Sequence, residues 1–242
     1  MINFLAQILG TMLKGVYDFI SALGAEPGAI SFYAIAIILT TVIFKTLLLP
    51  LNIMQTKNQL KMAEVQPELK KIQEKYKNDP QTLATKQQQL YKETGYNPLS
   101  GCLPILIQFP VIIAFYRIFL YPTKFAFTDP AFFAEMQKNF FFISDLDKPD
   151  PSQIIMPAIA AVLTGLTSYL AQHNKTQENM SNDQTQSMMK SMMIMTPIMI
   201  FMFARNMAAG LVLYWIANSL YSLAQQAISN HLINKKAEGE LK

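Results

Sequence analysis

The sequence contains few of the residues that enzymes use for chemistry. Its 242 residues include one cysteine, Cys102, and two histidines, His173 and His231. A single cysteine excludes an internal disulfide and a cysteine-based zinc site, and no His-Glu-x-x-His, Gly-x-Ser-x-Gly or glycine-rich phosphate motif is present. Ser187 and Lys190 match a Ser-x-x-Lys pattern, but so loose a pattern is expected by chance. We therefore expect no catalytic residues, no metal and no cofactor.

Charged residues are scarce as well, at 15% of the chain, whereas hydrophobic residues make up 51%. Water-soluble domains carry about 25% charged residues. The composition therefore predicts an all-α membrane protein that crosses the bilayer several times. The net charge of +4 is modest, and we expect no specific nucleic-acid site.

Five hydrophobic stretches predict five transmembrane helices. The first, residues 30–51, holds one charge, Lys45, in twenty-two residues. That length is enough to cross a hydrocarbon core of about 30 Å at about 1.5 Å per residue. Pro50 is expected to end this span near the interface. The four later predicted spans cover residues 99–121, 153–172, 188–204 and 208–228.

Residues 1–20 predict an amphipathic helix that lies in the membrane interface. Apolar residues such as Phe4, Ile8 and Phe19 recur with a period of 3.6 and face away from a polar side. A signal peptide is the alternative, but the basic start is missing and Lys14 interrupts the apolar core.

Residues 55–95 are polar, with eight lysines against five acids. Asp79-Pro80 is typical of a helix start and Gly95 of a helix end. We therefore predict an antiparallel helical hairpin outside the bilayer, rather than a long structureless loop. Residues 229–242 are predicted to form a short polar tail.

The basic residues that flank the spans predict the orientation. Thirteen of the twenty lysines and arginines lie on the side of the 55–95 hairpin, and six lie on the other side. Because cytoplasmic loops carry the excess of positive charge, the hairpin and the C-terminus are expected in the cytoplasm and the N-terminus outside.

Lys45 is the most informative residue of the spans. A lysine near the bilayer centre costs about 2.5–3.5 kcal/mol, and no carboxylate lies inside a span to pair with it. One interpretation is that its long side chain reaches the interface. The other is a water-filled cavity in the membrane. The polar residues that would border this cavity are Thr41, Gln108, Trp215, Asn218, Ser222 and Gln225. The alternative role for these residues is hydrogen bonding between helices.

Methionines recur at helical spacing along the fourth predicted span, at Met188, Met192, Met195 and Met199. Such a stripe is usually ordinary packing. The functional interpretation is an adaptable apolar surface for varied hydrophobic clients, because unbranched thioether side chains adjust their shape easily.

Three motifs resemble those of one family. Residues 97–110 read Asn-Pro-Leu-Ser-Gly-Cys-Leu-Pro-Ile-Leu-Ile-Gln-Phe-Pro, residues 144–149 contain Ser-Asp-Leu and Pro149, and residues 209–215 read Ala-Gly-Leu-Val-Leu-Tyr-Trp, followed by Asn218. Together they resemble the YidC/Oxa/Alb membrane insertases. The order of the parts agrees too: an amphipathic helix, a span, a basic hairpin and four more spans.

The resemblance implies a hydrophilic groove in the inner half of the bilayer, into which a positive residue of the first span projects. That residue is usually arginine in the family, and Lys45 occupies the matching place. A second departure is Ala208, where the family usually has proline. With no large extracytoplasmic domain, the chain is similar to the short form of Gram-positive bacteria.

The expected function is therefore the insertion of nascent membrane proteins into the bacterial plasma membrane, without enzymatic chemistry. Expected partners are nascent membrane proteins and membrane lipids. The 55–95 hairpin is a candidate docking site for the ribosome, a targeting receptor or the Sec translocon. An ion- or proton-coupled transporter is the alternative, although the spans lack the carboxylates and internal repeat typical of that class. An intramembrane protease is disfavoured because a catalytic set is missing.

Overall fold

The computed structural model describes residues 2–97, 103–172 and 183–239, and its regular structure is α-helical, as predicted. Five helices form most of one buried core, and two others pack on each other in a small separate cluster. The helices are α1 (Ile2–Ser21), α2 (Phe32–Leu47), α3 (Leu49–Lys75), α4 (Pro80–Thr94), α5 (Leu103–Leu120), α6 (Pro122–Phe125), α7 (Pro130–Glu135), α8 (Ile155–Gln172), α9 (Asp183–Ala204) and α10 (Ala209–Gly239). The large core is built mainly from α1, α2, α5, α8 and α10.

Within the three described ranges, no single helix is both long enough and apolar enough to cross a membrane. Phe32–Leu47 and Leu49–Gln55 satisfy the length and hydropathy conditions together, although they are bent by 56° at their junction. Shorter apolar stretches lie at Gln108–Leu120, Ile155–Leu170 and Met193–Ala204. The number of spans therefore stays a prediction.

The first helix breaks just before Pro50, which was expected to end the first span. α2 ends at Leu47, Leu48 forms the junction, and Pro50 lies in the first turn of α3. The physical reason is that backbone N–H groups in a first turn have no partner within the helix, so a proline there loses no hydrogen bond. The predicted 30–51 segment is thus bent, and the chain continues as helix into the polar segment.

The contact face of α1 includes part of the predicted apolar face. Leu9 and Leu13 are buried, whereas Phe4, Ile8 and Phe19 are exposed. Ala6 and Gly10 are buried too. These two small residues let α1 approach the backbone closely, since a Cβ at Gly10 would lie 2.0 Å from the Phe125 carbonyl oxygen.

α4 starts and ends where the sequence predicts, whereas α3 begins at Leu49, before the predicted hairpin. The Asp79 carboxylate accepts a hydrogen bond from the Thr82 N–H, Pro80 is the first residue of α4, and Gly95 ends it with φ at 60°. These are the expected helix caps. The two helices pack through Val65, Leu69, Leu90 and Tyr96.

Other helix bounds also depart from the predicted segments. α9 begins at Asp183 rather than at residue 188, and α8 begins at Ile155. α10 continues to Gly239, so the predicted 229–242 tail is helical over most of its length. Within the predicted 99–121 span, residues 99–102 lie outside the described residues, as does most of the linker before α9.

Candidate functional site

The Lys45 side chain is bound to α10. Its ammonium donates a hydrogen bond to Ser222 Oγ at 3.0 Å, and the Ser222 hydroxyl donates in turn to the Asn218 carbonyl at 2.9 Å. The ammonium also lies 5.8 Å from the centre of the Tyr221 ring, a distance that permits a cation–π contact. In the described part of the chain no carboxylate forms an ion pair with Lys45. The site therefore holds a half-buried positive charge without a negative partner.

Two further hydrogen bonds join α10 to the chain on either side of the bend. Thr46 Oγ1 and the Tyr221 hydroxyl are 3.1 Å apart, and Asn52 Nδ2 donates to Gln225 Oε1 at 3.3 Å. Because Asn52 belongs to α3, the contacts continue across the junction at Leu48. We call the three pairs Lys45–Ser222, Thr46–Tyr221 and Asn52–Gln225 the polar ladder.

Gln108 of α5 contacts α10 at a different height from Lys45. Its amide donates to the Tyr214 hydroxyl at 3.0 Å, and the Tyr214 ring stacks on Phe115 with centroids 4.0 Å apart. Tyr214 precedes Ser222 by eight residues, which corresponds to about 12 Å along a helix. The structure thus brings Gln108 to α10, but does not bond it to Lys45.

The remaining predicted polar residues have different surroundings. Thr41 is 1% exposed, and its hydroxyl donates to the Ile37 carbonyl within its own helix. Trp215 is half-buried and packs against the large core, and Asn218 is half-buried with its carbonyl bonded to Ser222. Of the predicted residues, the structure joins Lys45 and Ser222 directly, and Asn218 through its backbone.

The described methionines of the stripe form part of an exposed apolar surface on α9. Met195 is 67% exposed and Met199 is 48% exposed, and Ile198 beside them is exposed as well. The side chains of Met188 and Met192 lie outside the described residues. α9 packs mainly against α8, so the face with Met195 and Met199 has no large protein contact within the described chain.

The site residues that were not predicted from the sequence are Tyr214, Tyr221, Thr46 and Asn52. Three of them stand next to predicted residues, since Tyr214 precedes Trp215, Tyr221 precedes Ser222 and Thr46 follows Lys45. Tyrosine gives little signal in an apolar helix because its ring suits the core and its hydroxyl suits a polar site equally well. The polar spacing along the last predicted span had nevertheless placed Ser222 and Gln225 on one face.

A loop covers the other end of α10. The N–H groups of Ala209 and Gly210, which begin the helix, donate to the carbonyls of Lys148 and Leu146, both at 2.8 Å. A Cβ at Gly210 would lie 2.4 Å from the Phe119 ring. The residues of the 144–149 and 209–215 motifs therefore meet in space, while the close approach of the Phe119 ring explains the glycine at position 210.

An ion pair anchors this loop. Lys138 Nζ lies 3.0 Å from Asp147 Oδ2, and both side chains are largely buried. The Tyr33 hydroxyl also reaches Asp147, at 3.4 Å. Burial raises the pKa of the Asp147 carboxyl, while the Lys138 ammonium opposes that rise. The positive charge of Lys138 is thus neutralised, unlike that of Lys45.

Comparison with known proteins finds relatives along most of the chain. A family model described as "60Kd inner membrane protein" matches residues 27–237. "Membrane protein insertase YidC" of Clostridium tetani is 36% identical over 221 residues, which cover 91% of this chain and 90% of the relative. The protein of the same name from Clostridium perfringens is 34% identical over 237 residues, 98% and 94% of the two chains. "Membrane protein insertase YidC 2" of Bacillus anthracis is 37% identical over 199 residues, 81% and 71% of the two chains. The family match includes every residue of the polar ladder.

Proposed function

The chain belongs to the family of 60Kd inner membrane proteins that includes the YidC insertases, and from this membership we propose how it acts as a membrane protein insertase. Its relatives are named insertases, so the transporter interpretation has no support. We propose that it moves short polar segments of nascent membrane proteins across the bacterial plasma membrane. No covalent bond changes in such a process, so no catalytic residue is assigned.

The physical problem is desolvation. A polar segment that enters hydrocarbon costs several kcal/mol for each unsatisfied group. A hydrated groove that reaches partway through the bilayer shortens the apolar path and lowers that cost. The proposed groove lies along α10 and is lined by Lys45, Ser222, Asn218 and Trp215, with Gln108 at another level; Thr41, which was expected to border it, is buried.

The observation that carries the proposal is the Lys45 charge, held by Ser222 between α2 and α10 with no carboxylate beside it in the described chain. An unpaired ammonium attracts acidic residues of a client segment, and water in the groove keeps it hydrated meanwhile. The exposed face of α9 with Met195 and Met199 would hold the apolar part of the client, because thioether side chains adapt to varied shapes.

The proposed orientation places the α3–α4 hairpin in the cytoplasm and the N-terminus outside, as the distribution of lysines and arginines favours. In this arrangement the hairpin faces the ribosome, a targeting receptor or the Sec translocon. Labelling intact cells with an impermeant thiol reagent tests it. In a chain without Cys102, Gln137→Cys should react from outside and Gln81→Cys only after permeabilisation; the reverse pattern would overturn the orientation.

The test of function is reconstitution of the purified chain into liposomes that contain no other protein. A client with one or two spans should become protected from protease only where the chain is present. Solute flux and client cleavage should both stay at the level of empty liposomes. Insertion no better than in empty liposomes would contradict the proposal, and flux without insertion would favour a transporter.

A further inference from the structure

A tight turn at Phe140–Ile143 displays two aromatic rings. The Phe140 N–H donates to the Ile143 carbonyl at 2.8 Å, and the Ile143 N–H donates back to the Phe140 carbonyl at 2.9 Å. The two central residues are Phe141 and Phe142. Their side chains are 63% and 53% exposed, so neither ring belongs to the core.

The backbone of this turn is unfavourable for the residue that it contains. Phe141 has φ at 50°, in the left-handed region that tight turns normally give to glycine or asparagine. A bulky side chain there costs about 1–3 kcal/mol. The ring of Phe141 touches Phe140, with centroids 4.8 Å apart, but is otherwise turned outward. The strain therefore does not serve packing of the core.

The turn lies beside the start of the first apolar helix. The Phe141 N–H donates to the Ala29 carbonyl at 2.8 Å, and the Ser31 N–H donates to the Asn139 carbonyl at 2.9 Å. Ser31 is the N-cap of α2, and its hydroxyl accepts from the Ala34 N–H. These bonds fix the two rings at the level where the apolar helix begins.

No charge accompanies the rings, since residues 139–144 contain no acidic or basic residue. The nearest basic residue in sequence, Lys138, is directed inward, with its ammonium 3.0 Å from Asp147 and 3.8 Å from the centre of the Phe133 ring. The exposed tip is thus aromatic and uncharged, while its charged neighbour is neutralised beneath it.

We propose that Phe141 and Phe142 are a lipid anchor that inserts into the headgroup and upper acyl region of the bilayer. Lipid is the occupant because the rings lie at the end of an apolar helix in a membrane protein, and exposed Phe side chains of interfacial segments bury at the boundary of headgroups and acyl chains. The anchor fixes the depth of the α2 N-terminus, and therefore the depth of Lys45 thirteen residues further along the same helix.

The test uses tryptophan fluorescence in the full chain. Trp215 is the single native tryptophan and is changed to Phe, and a new tryptophan is introduced as Phe141→Trp or Phe142→Trp. Gln137→Trp is the matched control, because Gln137 is exposed and close in sequence. Each protein is reconstituted alone into phosphatidylcholine vesicles brominated on the upper acyl chain, and its helicity is checked by circular dichroism.

Brominated lipid should quench tryptophan at 141 and 142 about twofold or more relative to the Gln137→Trp control, as expected for rings in the interface. Aqueous iodide should show the reverse order. Phe142→Trp keeps the test valid where a change at 141 disturbs the turn. Equal lipid quenching at all three positions would overturn the proposal. Stronger iodide quenching at 141 and 142 would also overturn it, and would indicate that the rings await a protein partner.

Discussion

At the scale of single residues, the two neighbouring lysines Lys138 and Lys148 have very different environments. Lys138 pairs with Asp147 where both side chains are largely buried, whereas Lys148 is 76% exposed and pairs with Asp145. Removing one member of a buried pair leaves the other charge desolvated without compensation. An exposed pair is screened by water and contributes little.

We therefore expect Lys138→Met to lower the free energy of unfolding by about 3 kcal/mol, and Lys148→Met to lower it by less than about 1 kcal/mol. Thermal unfolding of the purified proteins in one detergent measures both. Equal losses would show that the Lys138–Asp147 pair does not anchor the loop.

The pH dependence of the same variant follows from Asp147. Burial raises the pKa of its carboxyl above the ordinary value, so the folded state binds this proton more tightly than the unfolded chain. The buried, ionised carboxylate therefore destabilises the folded state at neutral pH, and this destabilisation is lost as the pH falls through the raised pKa. Lys138 lowers that pKa, so without Lys138 the pKa should rise further. The destabilisation should then be larger, and its dependence on pH should reach to higher pH. The stability deficit of Lys138→Met should accordingly shrink between about pH 8 and about pH 5; a deficit independent of pH would contradict this assignment.

Lys45 shows what can be predicted for a residue from sequence. A lone charge in an apolar stretch is visible without a structure, and polar spacing located Ser222 on the facing side of α10. Tyr221, the neighbour of Lys45, and Tyr214, the partner of Gln108, were not predicted, because the contacts of a tyrosine depend on which helices become neighbours. The burial of Thr41 has the same cause.

At the scale of elements, α1 provides a matched pair of glycines. Gly10 contacts the backbone of Phe125, where a Cβ would lie 2.0 Å from its carbonyl oxygen, whereas a Cβ at Gly15 would have nothing within 4 Å. Gly10→Ala should lower the free energy of unfolding by at least about 2 kcal/mol through overpacking. Gly15→Ala should raise it by about 0.5–1 kcal/mol because alanine favours helix. Thermal unfolding of the two variants measures both effects. If Gly10→Ala were stabilising, α1 would not pack against the backbone at Phe125.

The same helix explains why elements are easier to predict than their contacts. The period of apolar residues in the first twenty positions correctly predicts a helix. It does not predict which residues make contact, since Leu9 and Leu13 of the apolar face are buried together with Ala6 and Gly10, while Phe4 and Phe19 are exposed. The composition changes sharply after Pro50, and for this reason we expected the first span to end there. A proline is also compatible with a first turn, and Pro50 lies in the first turn of α3, just after the junction at Leu48.

At the scale of the whole molecule, the α3–α4 hairpin and the end of α10 are the two basic extensions. The hairpin has eight lysines and its own small core, whereas the chain after Asn230 has three lysines and two acids. We expect removal of the hairpin tip around Asp79-Pro80 to reduce client insertion more than truncation after Asn234. The tip lies outside the Val65–Leu69–Leu90 cluster, so the two helices should still pack. Insertion efficiency in cells measures both, and equal losses would argue against a specific docking role.

The central claim is that Lys45, which forms no ion pair with the described residues, presents its positive charge to acidic segments of clients. Lysine and arginine both supply that charge, although arginine keeps it at any depth. Lys45→Arg should therefore retain insertion, and Lys45→Ala should lose it, most strongly for a client with an acidic tail. If hydration of the groove were sufficient, Lys45→Gln would work nearly as well as the parent. Lys148→Gln, which removes an exposed charge, is the control and should behave like the parent.

The most direct measurement is the insertion efficiency of Lys45→Glu in liposomes for one client with an acidic tail and for the same client with that tail neutralised. Charge attraction predicts a severe loss for the acidic tail, because two negative charges then meet in the groove, and a smaller loss for the neutral one. Insertion of both clients at the parental efficiency would contradict the account and leave Lys45 with no electrostatic role.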